Sequence, residues 1–355
     1  MKLYTVNGRG IALITLACLA LSVTFFAPRL WLMRHYVPGS LQWDRAHTFL
    51  LQCEQPLRRD IEPAMQWRLL LPLMSHALRL PGYTPLALPW LGIFAAAAYV
   101  AVLFRRRLDD WRFVAGGTLL FVTTSAVLVP VGWLGINDAW VWLGLLAVAF
   151  GRAPWAGPLA SLLCPWIDER FIIGYPLAWL AGQHERGAGW SWRAAQSALW
   201  LLPYAVARLW LGRQDSVADA ATHHFLANQL QQALVPAPLA PLGWWMGLRA
   251  GWVAIAYAGW TTPPGRRLLG AATLLATLAV TLFLASDLSR SIAILLPVVL
   301  LGCFACARHV PLSAPQVLLA LGVANLLIPA AHVVYLHLDP INPLPIEMLR
   351  FLRSS

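Results

Sequence analysis

Charge is scarce in this 355-residue chain: Asp, Glu, Lys and Arg together make up 12% of it, against 59% hydrophobic residues, where soluble domains carry about 25% charged residues. That shortage excludes an ordinary water-soluble domain, and a mean hydropathy of +0.63 agrees. Lysine is almost missing, with Lys2 alone, so a net charge of +11 rests on arginine. Arginine suits forked contacts to phosphate or carboxylate and also marks cytoplasmic loops, so the basic balance does not imply nucleic acid, and no nucleic-acid partner is expected. The five cysteines, Cys18, Cys53, Cys164, Cys303 and Cys306, are scattered. Cys303 and Cys306 have CxxC spacing but lie in an apolar run without the polar partners a redox or metal site needs. No Walker loop, GxGxxG, GxSxG or HExxH occurs, which leaves a cytosolic nucleotide site without support. Internal repeats and low-complexity tracts are absent too.

What is present is a series of apolar runs punctuated by arginine. Taking about 20 apolar residues per span and positive charge on the inner side, the sequence predicts an all-α polytopic membrane protein. It has about ten spans in a single integral membrane domain over 1–355, with the N-terminus inside. The first run, Ile11 to Ala27, is followed at once by Arg29 rather than by a small-residue cleavage site, and so reads as a helix, not a removable signal. Residues 28–81 form a first external loop with interfacial helices, one of them entering at Glu62-Pro63. Leu86 to Phe104 returns to Arg105, Arg106 and Arg107, and Phe113 to Trp133 leads out to a turn at Asn137-Asp138. Ala139 to Phe150 comes back to Arg152. A short-helix hairpin at 157–182 follows, then Ala194 to Leu211, and a second external loop at 212–238. Leu242 to Trp260, Leu268 to Ala285, Ile292 to Ala307 and Val317 to Leu336 complete the spans. An amphipathic tail at 345–355 reads as an interfacial C-terminal helix.

The arginines alone set this topology, so the acids test it independently. Of 15 Asp and Glu residues, only Asp109, Asp110 and Glu185 fall inside. The rest gather outside, either because a site is built there or because outer loops simply lack the arginine bias. The costliest group is Asp168-Glu169-Arg170, between Pro165 and Pro176 in an apolar hairpin, since ionisable side chains at membrane depth cost at least about 2.5–3.5 kcal/mol each. Two readings stand: an internal ion pair that shapes the turn, or a site in which Arg170 grips an anionic head group oriented by Asp168 or Glu169. Asp287 and Arg290 pose the same choice one helical turn apart. Asp44, beside Arg45 and His47, is either a general base for a hydroxyl entering from outside or a charge favoured at a helix N-terminus. Arg58, Arg59 and Arg68 add positive charge that would suit a lipid phosphate, and Asp138 supports the same face. His223 and His224 lack the spacing of a helical metal pair, and Asp215 and Asp219 do not complete one.

The acidic Trp43-Asp44-Arg45-Ala46 in the first loop, the following Trp67-Arg68 to Pro72 stretch, the Asp168-Glu169-Arg170 hairpin and the Ser286 to Arg290 corner together resemble the GT-C class of membrane glycosyltransferases. The likeness spans most of the chain in layout and is diffuse in sequence. It implies an inverting transfer of sugar from a polyprenyl-phosphate carrier to a glycan, glycolipid or protein acceptor on the outer face of the cytoplasmic membrane. Asp44 would be the catalytic base, joined by Glu169 and Asp168. Arg170, Arg290 and Arg68 would bind donor phosphate, with Asp287, Asp138 and His47 in support. The sequence lacks the family's paired Asp-x-Asp in the first loop and its large soluble C-terminal domain, which leaves a divalent metal, Mg or Mn, and acceptor recognition open. The rival classes are a lipid or glycolipid flippase and a membrane acyltransferase using His223 or His224.

Overall fold

Proline, glycine and paired threonines decide where the apolar runs become helices and where they break. A computed structural model describes residues 7–29, 41–61, 63–186, 196–212, 234–284 and 287–353, without the side chains of 41–44, 63–64, 211–212 and 284. Helix α1 (Gly8–Phe25) opens on Asn7, whose side chain accepts from the amides of Arg9 and Gly10. The first loop holds α2 (Leu41–Glu54), the single turn α3 (Pro63–Gln66) and α4 (Leu70–Ala77), with α2 packed on α4. The interfacial helix expected to enter at Glu62-Pro63 ends after one turn at Gln66, and Trp67, Arg68 and Leu69 separate it from α4. Then come α5 (Ala87–Arg105), α6 (Trp111–Val122), α7 (Ser125–Gly132) and α8 (Asp138–Phe150).

The segment expected as a short-helix hairpin folds as α9 (Ala156–Leu163), a 3₁₀ turn over Cys164–Trp166, and α10 (Arg170–Arg186). Its second arm is longer than expected, because Pro176 is absorbed inside α10 rather than ending it. The chain continues through α11 (Leu202–Gly212), α12 (Ala240–Leu248), α13 (Gly251–Thr261), α14 (Pro264–Leu284), the short α15 (Leu288–Ser291), α16 (Leu296–His309) and α17 (Ala314–Leu327). Strands β1 (Ala330–Val334) and β2 (His337–Ile341) pair antiparallel, with Val334 opposite His337, and α18 (Leu344–Arg353) closes the chain.

Among the described residues four helical segments are long and apolar enough to cross a membrane: Gly8–Phe25, Thr84–Arg105, Pro264–Phe283 and Leu288–His309. A fifth arises if α6 and α7, bent by 52°, count as one. Length and composition support that number, against the expected ten. The bend falls at Thr123-Thr124, whose hydroxyls donate back to the carbonyls of Leu119 and Phe121 and compete with the helix ladder. Two expected spans are corrected. The run Leu242 to Trp260 breaks at Arg249, which adopts φ 46° and buries its guanidinium against Ile328 O (3.0 Å) and the Phe26 ring. The run Val317 to Leu336 stops at Leu327, and its β-branched end, Val333-Val334, pairs in the hairpin instead of continuing the helix. The fold is mostly helical rather than wholly so.

Close helix packing sets the scaffold. Gly116 of α6 lies against the backbone of Leu319 in α17, and a side-chain carbon on Gly322 would come within 2.7 Å of Gly116 O, so this pair of glycines lets two backbones touch. Helices α8, α10 and α16 pack on one another. They run the same way, since Asp138, Arg170 and the Arg290 turn stand at their starts and Arg152, Arg186 and Arg308 at or just beyond their ends. Charge is thereby sorted to two ends. The 17 residues of α10 separate those ends by about 25 Å at 1.5 Å per residue.

Candidate functional site

Two short sequence units build the centre. In Asp168-Glu169-Arg170 the Asp168 carboxylate accepts from the Arg170 amide (3.0 Å) and caps α10. In Asp287 to Arg290 the Asp287 carboxylate accepts from the Arg290 amide (3.1 Å) and caps α15. Each acid thus starts a helix and faces the guanidinium that its own segment supplies. Tertiary packing brings the two units together around Asp138, the first residue of α8. Arg290 donates to both Asp138 oxygens, Nη2 at 2.6 Å and Nε closer still. Asp168 accepts from Arg170 Nη1 (3.0 Å), pairs with Arg68 Nη2 at 3.0 Å and lies 3.7 Å from Arg290. Arg170 also donates to Ser291 Oγ (3.0 Å), which locks the hairpin to the α15 corner.

Behind this lattice β1 acts as a brace. His332 Nε2 is 2.9 Å from Asp287 Oδ1, and the His332 ring packs edge-on to Trp133. The Val333 amide donates to Ser289 Oγ (2.9 Å). On the other side Glu169 accepts from Tyr204 (3.1 Å) and stands 3.8 Å from Arg208, whose guanidinium stacks on Trp67.

The lattice forms one wall of a narrow cleft of about 380 Å³, part of it open to solvent. Arg45, Phe49 and Gln52 line it from α2 at the i, i+4, i+7 spacing of one helix face. Met65, Arg68 and Leu71, the Gly135 to Asp138 turn, Ile167-Asp168 and Arg290 complete it. Gly135 has φ +78°, and a side chain there would meet Ala46 Cα and Arg45 O at 2.9 Å, so this turn seats directly on the first turns of α2. Three guanidiniums and two carboxylates line the cleft, leaving one positive charge. Three buried polar atoms at its surface, Gln52 Oε1, Asn137 Oδ1 and Arg68 Nε, make no hydrogen bond. An unsatisfied buried polar group costs about 1–3 kcal/mol, so such a set points to water or ligand between the walls.

Electrostatics divides the acids by role. Burial works against the charged form of Asp168, but the guanidiniums of Arg170, Arg68 and Arg290 overcome it and hold the carboxyl well below the usual range. Burial likewise opposes ionisation of Asp287, and His332, Arg290 and Arg170 outweigh it. These are fixed anions that position arginines, and poor proton acceptors. Glu169 differs in being one third exposed, whereas Asp168 is 3% exposed.

The structure therefore unites Asp138, Asp168, Glu169, Asp287, Arg68, Arg170 and Arg290. Arg68 and Arg290 reach the cleft, while Arg170 sits behind Asp168 and does not line it. His47 is exposed on α2 and is absent from the lining. Asp44 lies in α2 next to Arg45, and its side chain is outside the described residues, as are Asp215, Asp219, His223 and His224. Arg45, Gln52, Asn137, Tyr204, Arg208, Ser291 and His332 were not among the site residues expected from the sequence. For Arg208 and His332 a signal existed, a titratable side chain inside an expected span. For Gln52, Asn137 and Ser291 none did. Among the described residues no three His, Cys, Asp or Glu side chains are placed to hold a metal ion, and each acid of the lattice faces a guanidinium, so these residues do not fit Mg or Mn. No family model, curated protein or solved structure matches the chain.

Proposed function

We propose that the chain is an inverting membrane glycosyltransferase that moves a sugar from a polyprenyl-phosphate carrier to a glycan, glycolipid or protein acceptor. The observation that carries this reading is the cleft itself: arginines held rigidly by buried acids, with unbonded polar atoms beside them, at one end of apolar helices. Fixed cations stabilise charge that develops on a leaving group without having to reorganise. Arg68, whose Nε makes no hydrogen bond and lies 3.9 Å from Glu169, and Arg290, aligned by Asp138 and backed by Asp287, would meet the departing lipid phosphate. The acceptor oxygen forms its bond to the anomeric carbon as the bond from that carbon to the phosphate oxygen breaks. The acceptor proton passes to a carboxylate, either Glu169, which neighbours the cleft-lining Asp168 in the chain, or Asp44. A single displacement inverts the anomeric centre. In this reading the chain crosses the cytoplasmic membrane about ten times, with its N-terminus inside and the cleft outside. An apolar groove of about 870 Å³ between α10, α13, α14 and α16, part of it open space, adds lipid-accessible surface, though it lies toward the opposite end of α10 from the cleft.

The test is mass spectrometry of surface glycolipids and glycans from a host lacking the gene, rescued with wild type, Asp44→Asn, Glu169→Gln or Arg68→Gln. Loss of a sugar on deletion, its return with wild type and its failure with Arg68→Gln are expected. Which carboxylate variant fails identifies the base. Glycans that are the same in every strain would end the transferase reading.

A further inference from the structure

At the end of the bundle remote from the cleft, Arg106 and Arg107 after α5, Arg152 after α8 and Arg186 at the end of α10 line a single cavity of about 780 Å³, part of it open, with Leu103, Phe150 and Glu185. Glu185 is the one acid in it. Its buried carboxylate is taken by Arg107 (2.5 Å) and, from α16, Arg308 (2.9 Å). Arg186 donates to Gly151 O (2.5 Å) and so closes the end of α8. Arg107 also lies over the Phe304 ring. Arg106 and Arg152 make no ion pair among the described residues. Among the described residues the other acids at this end are engaged elsewhere, Asp109 with Arg105 and Asp110 with Arg112.

Five guanidiniums around one carboxylate leave an excess of four positive charges. Helix C-termini attract cations, but that attraction is worth only about 0.3–1 kcal/mol for each and falls off within the last turn. It explains an arginine at each helix end and not the convergence of four on one cavity. Arg152 lies within electrostatic reach of both Arg107 and Arg186, so these guanidiniums repel one another. A ligand with two or more negative charges and oxygen acceptors spaced for guanidinium forks removes the repulsion.

We infer that this pocket binds a phosphate group at the face opposite the cleft. Its apolar floor of Leu103 and Phe150, at the end of helices suited to lipid, makes an anionic phospholipid head group the first source of that phosphate. Free diphosphate is the second. The inference does not depend on the transferase reading, because it uses none of the cleft residues.

Native mass spectrometry of the purified full chain, released from nanodiscs of mixed phosphatidylcholine, phosphatidylglycerol and cardiolipin, tests the lipid source. Wild type is expected to retain anionic lipid, and Arg106→Gln/Arg152→Gln to retain about tenfold less or lower still. Arg152→Gln alone, an exposed position whose change leaves packing intact, should show a smaller loss in the same direction. Arg266→Gln, at an exposed arginine of the same end outside the pocket, should show none. A parallel arm measures thermal stability in neutral detergent with added diphosphate. A rise in wild type that is missing in the double variant, without lipid discrimination in the first arm, assigns the pocket to a soluble phosphate. Equal lipid loss in Arg266→Gln, or no response in either arm, overturns the proposal.

Discussion

The Asp138–Arg290 pair is the most heavily buried element of the candidate site, with side chains 2% and 6% exposed and two hydrogen bonds between them. Removing one partner of a buried ion pair leaves an uncompensated charge and costs about 3–5 kcal/mol, while replacing both by apolar groups is often near neutral. Asp138→Leu strands Arg290 with Asp287 at 3.6 Å and Asp168 at 3.7 Å, neither aligned for a forked contact, so a cost near about 3 kcal/mol is expected. Arg290→Met strands Asp138 more completely. Its nearest remaining cation in the lattice is Arg170 at 3.8 Å, and about 4 kcal/mol is expected. The double variant should be more stable than either single one, costing under about 3 kcal/mol, which puts the coupling above about 4 kcal/mol. Equilibrium unfolding of wild type, both singles and the double in one detergent, followed by tryptophan fluorescence, closes the cycle. Singles that each cost under about 1 kcal/mol, or a double equal to their sum, would refute the pairing and with it the lattice that shapes the cleft.

Acid should attack the same lattice from another direction. Asp168 and Asp287 both have carboxyls below their ordinary range in the fold. Their contribution is therefore complete above the unfolded value of about pH 3.9 and is lost as pH falls through and below it. The gap between acid unfolding curves for wild type and Asp168→Asn should be constant above about pH 5 and narrow steadily as pH falls below about 4, and a gap unchanged below pH 4 would contradict the assignment. Gly135→Ala places a β-carbon in a left-handed turn, 2.9 Å from Ala46 Cα and Arg45 O, so a loss of about 1–3 kcal/mol is expected. Complementation of the glycan phenotype should fall with it. Thermal unfolding within error of wild type would show that the turn does not press on α2.

The sequence by itself determined the solvent, the helices and the sorting of charge. Scarcity of charge and long apolar runs admit only elements that satisfy their own backbone in lipid. The same runs predicted the Asp168 hairpin and the α14 to α16 corner, because each acid and its arginine are two or three residues apart and make their bonds locally. That most acids gather at one end could likewise be read from loop order, whereas arginines stand at both, and the other end has Arg107, Arg152, Arg186 and Arg308 together around Glu185. Local chemistry could not show which units would meet. Asp138 and Arg290 are 152 positions apart, and only the packing of α8, α10 and α16 brings the hairpin, the corner and the Asn137 turn to one point. The β hairpin was hidden for a related reason: Ala330 to Val334 is as apolar as a helix end, and His332 reveals its purpose only once it touches Asp287. Arg249 bends an expected span because its guanidinium finds a carbonyl and an aromatic face inside the bundle. Hydropathy records what each residue prefers to leave behind in water, and tertiary contact alone determines which partner it finds.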